Sequence, residues 1–283
     1  ESAFITEVHH ITGDGTDAGV VYSEMESKDK SKEVGATLMR SMYPESSGYH
    51  YISGGHPKNL RENTTNHKIR EFHRKFYRPE NLHLIICGQI KAHNIFETLE
   101  SIESKIISKN TTTYEPFTRP WSSNIPPLIK NIERIVELPS EQDDDKGDVY
   151  MAWRGPAPGI DVEELVGFQI LLDSLMSSAL SPIRKAFRRI LESPPMGMSS
   201  DLPAYKESMI FLKIHGIPQE SFNEAIDILM NTLKNITEDK QNFDLHTLKN
   251  VIKKFILNGE NYLENTPHEG IAKEIITVSL HSK

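Results

Sequence analysis

The chain has 283 residues, 37% of them hydrophobic and 25% charged, with a formal net charge of −8, the composition of a soluble globular protein with one large or two ordinary domains. The acidic balance excludes a general nucleic-acid footprint, which needs a basic face to neutralise phosphates, and no apolar run approaches the roughly 20 residues of a bilayer span. One cysteine, Cys87, excludes an internal disulfide, and a reducing compartment fits that count.

The chain begins at Glu1 in mid-pattern, as expected of a fragment. Phe4, Ile5, Val8 and Ile11 follow at helical spacing, and the adjacent His9 and His10 point in different directions on such a helix, which suits surface histidines better than a shared metal. Asp14, Thr16 and Asp17 are candidates to cap the helix that starts after Gly19 and runs through Arg40. Val20, Val21 and Glu24 are neighbours on that helix. A carboxylate on its apolar side needs a proton, a basic partner or a metal, because an unpaired buried charge is too costly.

Tyr43-Pro44 ends this helix, and Tyr49 to Gly55 reads as a short extended piece closing on Ser53-Gly54-Gly55-His56-Pro57, a turn or a close backbone approach. Thr65-Asn66 caps a helix from His67 to Tyr77, with Pro79 as its stop. Leu82 to Cys87 reads as a fully buried strand ended by Gly88, with Cys87 an inert buried thiol. A helix from His93 to Ile107 follows. The stretch from 108 to 130, with Pro116, Pro120, Pro126 and Pro127 around Phe117 and Trp121, is the best linker. The expected units are therefore 1–110, a linker at 111–130, and 131–283.

In the second half, Ile132 to Leu138 and Val149 to Trp153 read as strands separated by an acidic turn at 141–147, which lacks the alternating carboxylates of a calcium loop. Helices are expected at 161–176 and 182–191, a strand at 208–215, and helices at 219–235, 243–257 and 267–280. Arg184, Lys185, Arg188 and Arg189 form a local basic patch, read as the solvated side of an amphipathic helix. Strands followed by helix pairs, twice, describe two related α+β layers.

Neither His-x-x-Glu-His nor His-Glu-x-x-His occurs among the twelve histidines, and no Gly-x-Ser-x-Gly elbow is present. The residues alone make no complete catalytic constellation. Yet Asp17-Ala18-Gly19-Val20-Val21-Tyr22-Ser23-Glu24-Met25, Ser53-Gly54-Gly55-His56-Pro57, Ile69-Arg70-Glu71-Phe72-His73 and Phe76-Tyr77-Arg78-Pro79-Glu80-Asn81 together resemble the pitrilysin and insulysin group of zinc metallopeptidases, in particular its presequence-protease-like branch. The match is specific through 1–110. From 131 to 283 it rests on the order of elements and on Trp153-Arg154-Gly155-Pro156.

The resemblance implies an α+β fold of two related α/β-roll domains, each a mixed antiparallel sheet covered by helices, the first incomplete. It also implies a zinc metalloendopeptidase that degrades unstructured peptides in an enclosed chamber. In that group an inverted His-x-x-Glu-His motif supplies two histidine ligands and the general base, and a glutamate on a later helix supplies the third ligand, which Glu24 matches. Asp17 falls where the group often places an acidic residue that orients a ligand. The two histidines and the base are expected upstream of Glu1, so this segment alone is expected to be inactive and without zinc. The implied partners are peptide substrates and the remaining domains of the parent chain, with no nucleic acid and no membrane, in the cytoplasm or the mitochondrial matrix. The alternative is a non-catalytic, chamber-completing subunit of the same fold.

Overall fold

The computed structural model describes residues 4–109, 124–137, 145–155, 162–203, 207–238 and 244–281. Most of the expected linker, with Phe117 and Trp121, residues 141–144 of the acidic turn, and Pro156 lie outside the described residues. The fold is α+β, as expected. Helices α1 (Val20–Met42), α2 (Pro57–Glu62), α3 (Asn66–Phe76) and α4 (Ala92–Lys109) fill the first part, beside a two-residue ladder of β1 (His10–Ile11) and β2 (Asp17–Ala18). The second part holds β3 (Lys146–Arg154), α5 (Val162–Met176), α6 (Pro182–Ile190), β4 (Gly197–Asp201), β5 (Met209–Pro218), α7 (Phe222–Glu238), α8 (Leu245–Asn265) and α9 (Pro267–His281).

Local chemistry sets several of these boundaries. Thr65 Oγ1 accepts the Lys68 N–H at 3.2 Å to open α3, and Asp244 accepts the His246 N–H at 2.9 Å to open α8, each satisfying a donor that the first helical turn leaves orphaned. Pro57 and Pro182 stand at the start of α2 and α6, where a missing N–H costs nothing.

The sheet of the second part has the order β3-β5-β4, antiparallel throughout. Alternation puts Val149, Met151, Leu212 and Ile214 on the face against α5, α6 and α7, where Phe187, Ile183, Leu229 and Ile217 are completely buried. Asp148 lies at the β3 bulge on the opposite face. It pairs with Lys213 at 2.8 Å and accepts from the Gly216 N–H at 3.2 Å and from His215. Burial raises the Asp148 carboxyl, but these three donors more than offset it and hold it below the usual carboxylate value.

The C-terminal end of α1 docks on that same outer face. Buried Met42 and Tyr43 pack with Met209, and partly buried Ala152, Phe211 and Ile125 close around them. Arg154 joins the two parts: its Nε donates to the Met42 carbonyl at 2.8 Å, its Nη1 donates to Glu207 at 2.8 Å, and its guanidinium lies 4.4 Å from the Tyr43 ring centre. Tyr43 Oη in turn donates to the Glu207 carbonyl at 2.8 Å.

Several expectations need correction. Leu82 to Cys87 is not a buried strand. Among the described residues it has no ladder partner, Leu82, Leu84 and Ile86 are exposed, and so is Cys87. The run has the apolar content of an inner strand, but it does not join the two-residue β1–β2 ladder, the sheet that the described residues of the first part form. The same holds for the described part of the expected strand at 132–138, where Ile135 is 86% exposed. Tyr49 to Gly55 is not extended either: Gly48–His50 forms a 3₁₀ turn, because the Ser47 hydroxyl accepts the Tyr49 N–H and draws the backbone into a cap. Among the described residues no helix is long and apolar enough to cross a membrane.

Candidate functional site

The stretch before α1 is shaped by two approaches of the chain to itself. Gly19 has φ 129°, and a Cβ there would stand 2.6 Å from the Val8 carbonyl oxygen. Only glycine fits at this point. Gly54 and Gly55, also at positive φ, bring the 53–57 turn against Met25 and Leu60, and buried Tyr22, Met25 and Leu60 form a small core with Val8, Val21 and Ile52. The effect is to clamp the first turns of α1 between the N-terminal ladder and α2. Gly19→Ala is expected to cost at least about 2 kcal/mol from backbone strain and overpacking, seen as a lower urea midpoint by far-ultraviolet circular dichroism.

Asp17 is held in β2 opposite Ile11. Its Oδ1 lies 2.8 Å from His9 Nε2 and its Oδ2 lies 2.9 Å from Arg61. The His9 and Tyr22 rings are 5.1 Å apart. Burial pushes the Tyr22 phenol up, and the carboxylates of Asp17 and Glu26 push it further. Asp17 therefore ties the ladder, α1 and α2 together, and it does not cap the helix. Asp14 and Thr16 do not cap it either, because their side chains bond Thr12 in the preceding turn, and Gly19 is the cap residue, with no side-chain bond to the helix.

Glu24 projects from the exposed side of α1 next to Val20, which is 58% exposed, while Tyr22 and Met25 take the buried side. The expectation of an apolar setting for this carboxylate is thus replaced by a solvent-facing one on a rigid helix, since the helical stripe that faces inward is set by residues 22 and 25. Sequence reading missed the partnership of His9 with Asp17, which depends on a hairpin ladder only two residues long, and that of Arg61, whose position depends on the turn at Gly54-Gly55.

A zinc ion needs at least three protein donors. Among the described residues no group of three His, Cys, Asp or Glu side chains is placed to hold a metal. His10 Nδ1 is enclosed without a partner, but a single orphan nitrogen does not complete a donor set. The described residues do not fit a zinc ion by themselves.

Comparison with known proteins adds a second line. A family model described as the peptidase M16 inactive domain matches residues 63–252, so α1, with Glu24, and α2 lie ahead of the matched stretch. An uncharacterized protein of Caenorhabditis elegans is 31% identical over 97% of this chain and 27% of its own length. The chloroplastic and mitochondrial presequence protease 1 of Arabidopsis thaliana is 25% identical over 78% of this chain and 20% of its own length. The chain thus spans about a quarter of the length of these curated relatives. Among solved structures, a protease from Helicobacter pylori superposes on 93% of this chain and 61% of its own with a TM-score of 0.60 at 15% identity. A peptidase M16 inactive domain from Pseudomonas fluorescens covers 84% of this chain and 54% of its own, with a TM-score of 0.52 at 16% identity.

Proposed function

Because this chain belongs to the peptidase M16 family, we propose that it is a segment of a zinc-dependent metalloendopeptidase that degrades unstructured peptides. In this reading residues 63–252 form non-catalytic wall of the peptide chamber, and Glu24 supplies one carboxylate to a zinc whose other ligands lie outside this segment. The observation that carries it is the placement of Glu24: exposed on a helix whose first turns are fixed by Tyr22, Met25 and Leu60, in the part of the chain that precedes the matched inactive domain. A ligand presented from a rigid element holds its geometry better than one on a loop. Asp17 acts behind it, by fixing the start of α1 through His9 and Arg61. The presequence-protease relatives and the single cysteine support the mitochondrial matrix or the cytoplasm as the compartment.

The second reading, a non-catalytic subunit that completes a chamber, is favoured by the inactive type of the matched domain. Zinc analysis of the complete protein beside its Glu24→Gln variant separates the two. About one zinc per chain, lost in the variant together with cleavage of a quenched unstructured peptide while the melting temperature stays near that of the parent, is the expected result. A well-folded complete protein without zinc would sink the peptidase reading and leave the subunit.

A further inference from the structure

Nothing in the peptidase reading uses the basic helix α6. Its spacing puts Arg184, Phe187 and Arg188 on one face, and opposite them the chain turns through Pro194 and Pro195, whose rings fix φ and make a stiff wall. Together with Met198 they line a cavity of about 360 Å³, within the size range of small-ligand sites. Arg184 is held in place by backbone acceptors: its Nε donates to the Met176 carbonyl and its Nη2 to the Met198 carbonyl at 3.0 Å. Those two bonds orient the guanidinium and leave Nη1 for another acceptor. Arg188 is exposed and bonds only weakly, through Nε to the Arg184 carbonyl at 3.5 Å. Among the described residues no carboxylate pairs with either arginine.

We propose that this cavity binds an apolar residue ending in a free carboxylate. Two unpaired guanidinium groups at the rim supply the fork that a carboxylate accepts in bidentate fashion, and Met198 and the two prolines supply an apolar wall, with the enclosed Phe187 ring behind them. That lining disfavours inorganic phosphate, which has no apolar part to place on it and needs donors on every side. A peptide C-terminus and a free acylated amino acid share the required chemistry.

The test is calorimetric titration of the complete protein with acetyl-Ala-Phe as the free acid, with the same dipeptide as its C-terminal amide, and with N-acetylphenylalanine. The acid is expected to bind about tenfold or more tightly than the amide, because the amide loses the charge-assisted bonds. Arg188→Ala is expected to weaken the acid by a similar factor. Ala179→Trp, an exposed position on the cavity wall, fills the space without removing a hydrogen bond and is expected to abolish binding with an unchanged melting curve. N-acetylphenylalanine equal to the dipeptide assigns the site to small acids, and a clear preference for the dipeptide assigns it to peptide ends; both support the carboxylate site. Equal affinity for acid and amide, binding that survives Ala179→Trp, or no binding at millimolar ligand overturns it. Peptide cleavage measured on the same samples reports separately on the peptidase reading, so either proposal can fail alone.

Discussion

Phe187→Ala is expected to remove about 4 kcal/mol of folding stability, the cost of deleting a fully enclosed aromatic ring and leaving a cavity behind. Phe187 is completely buried where α6 meets the sheet and α7, among Ile183, Ile214 and Leu229. The matched control is Phe96→Ala on α4. That ring is 62% exposed, so its truncation is expected to stay within about 0.5 kcal/mol. Urea unfolding of the two variants beside the parent decides the matter. A large loss at both positions would mean that the α4 face is covered in solution, and a small loss at both would mean that the core does not lie where Phe187 puts it.

Arg154→Ala is expected to cost about 3 kcal/mol, because one truncation removes the charged partner of the partly buried Glu207 carboxylate, which keeps the Ile125 N–H at 3.1 Å, and the donor to the Met42 carbonyl at the end of α1. For a chain of this size that corresponds to a fall in melting temperature of roughly 6–12 °C. Arg154→Lys is expected to recover little of it, since a lysine ammonium does not reproduce the fork that reaches both acceptors while stacking on Tyr43. The double variant Arg154→Met with Glu207→Leu is expected to be more stable than Arg154→Ala, as the buried carboxylate goes with its partner. Losses in Arg154→Ala and Glu207→Ala that simply add in their double variant would show that the two side chains do not act together.

Helices were the most legible part of the sequence, because caps and apolar spacing are local. Thr65, Pro182 and Pro267 mark starts that the structure keeps, and Tyr43-Pro44 marks the end of α1. Strands were legible only where the chain supplies their neighbours: β3 and β5 were found, whereas Leu82–Cys87 has the same apolar content and no ladder. Composition tells how readily a segment accepts a partner strand, not whether one is present. The short β4 went unread, as Gly197-Met198-Ser199-Ser200-Asp201 has little β preference and owes its conformation to pairing with β5. At the candidate site, Glu24 and Asp17 stood out through the motif around them. His9, Arg61 and the Arg154–Glu207 joint are products of tertiary placement, and no local pattern announces them.

The Arg154 joint also sets an order of events. Its donor and the Met42 carbonyl are 112 residues apart, and Glu207 comes 53 residues after Arg154. At synthesis rates of roughly 5–20 residues per second, the end of α1 waits many seconds on the ribosome before its partner is even made. Closing a loop of that length costs about 4 kcal/mol of chain entropy, recovered only after β3 and β5 have paired, since β5 follows Glu207 by two residues. The last turn of α1 is therefore a late-folding element, and a nascent chain arrested before β5 would hold Met42 and Tyr43 in water, in a form that chaperones and proteases recognise.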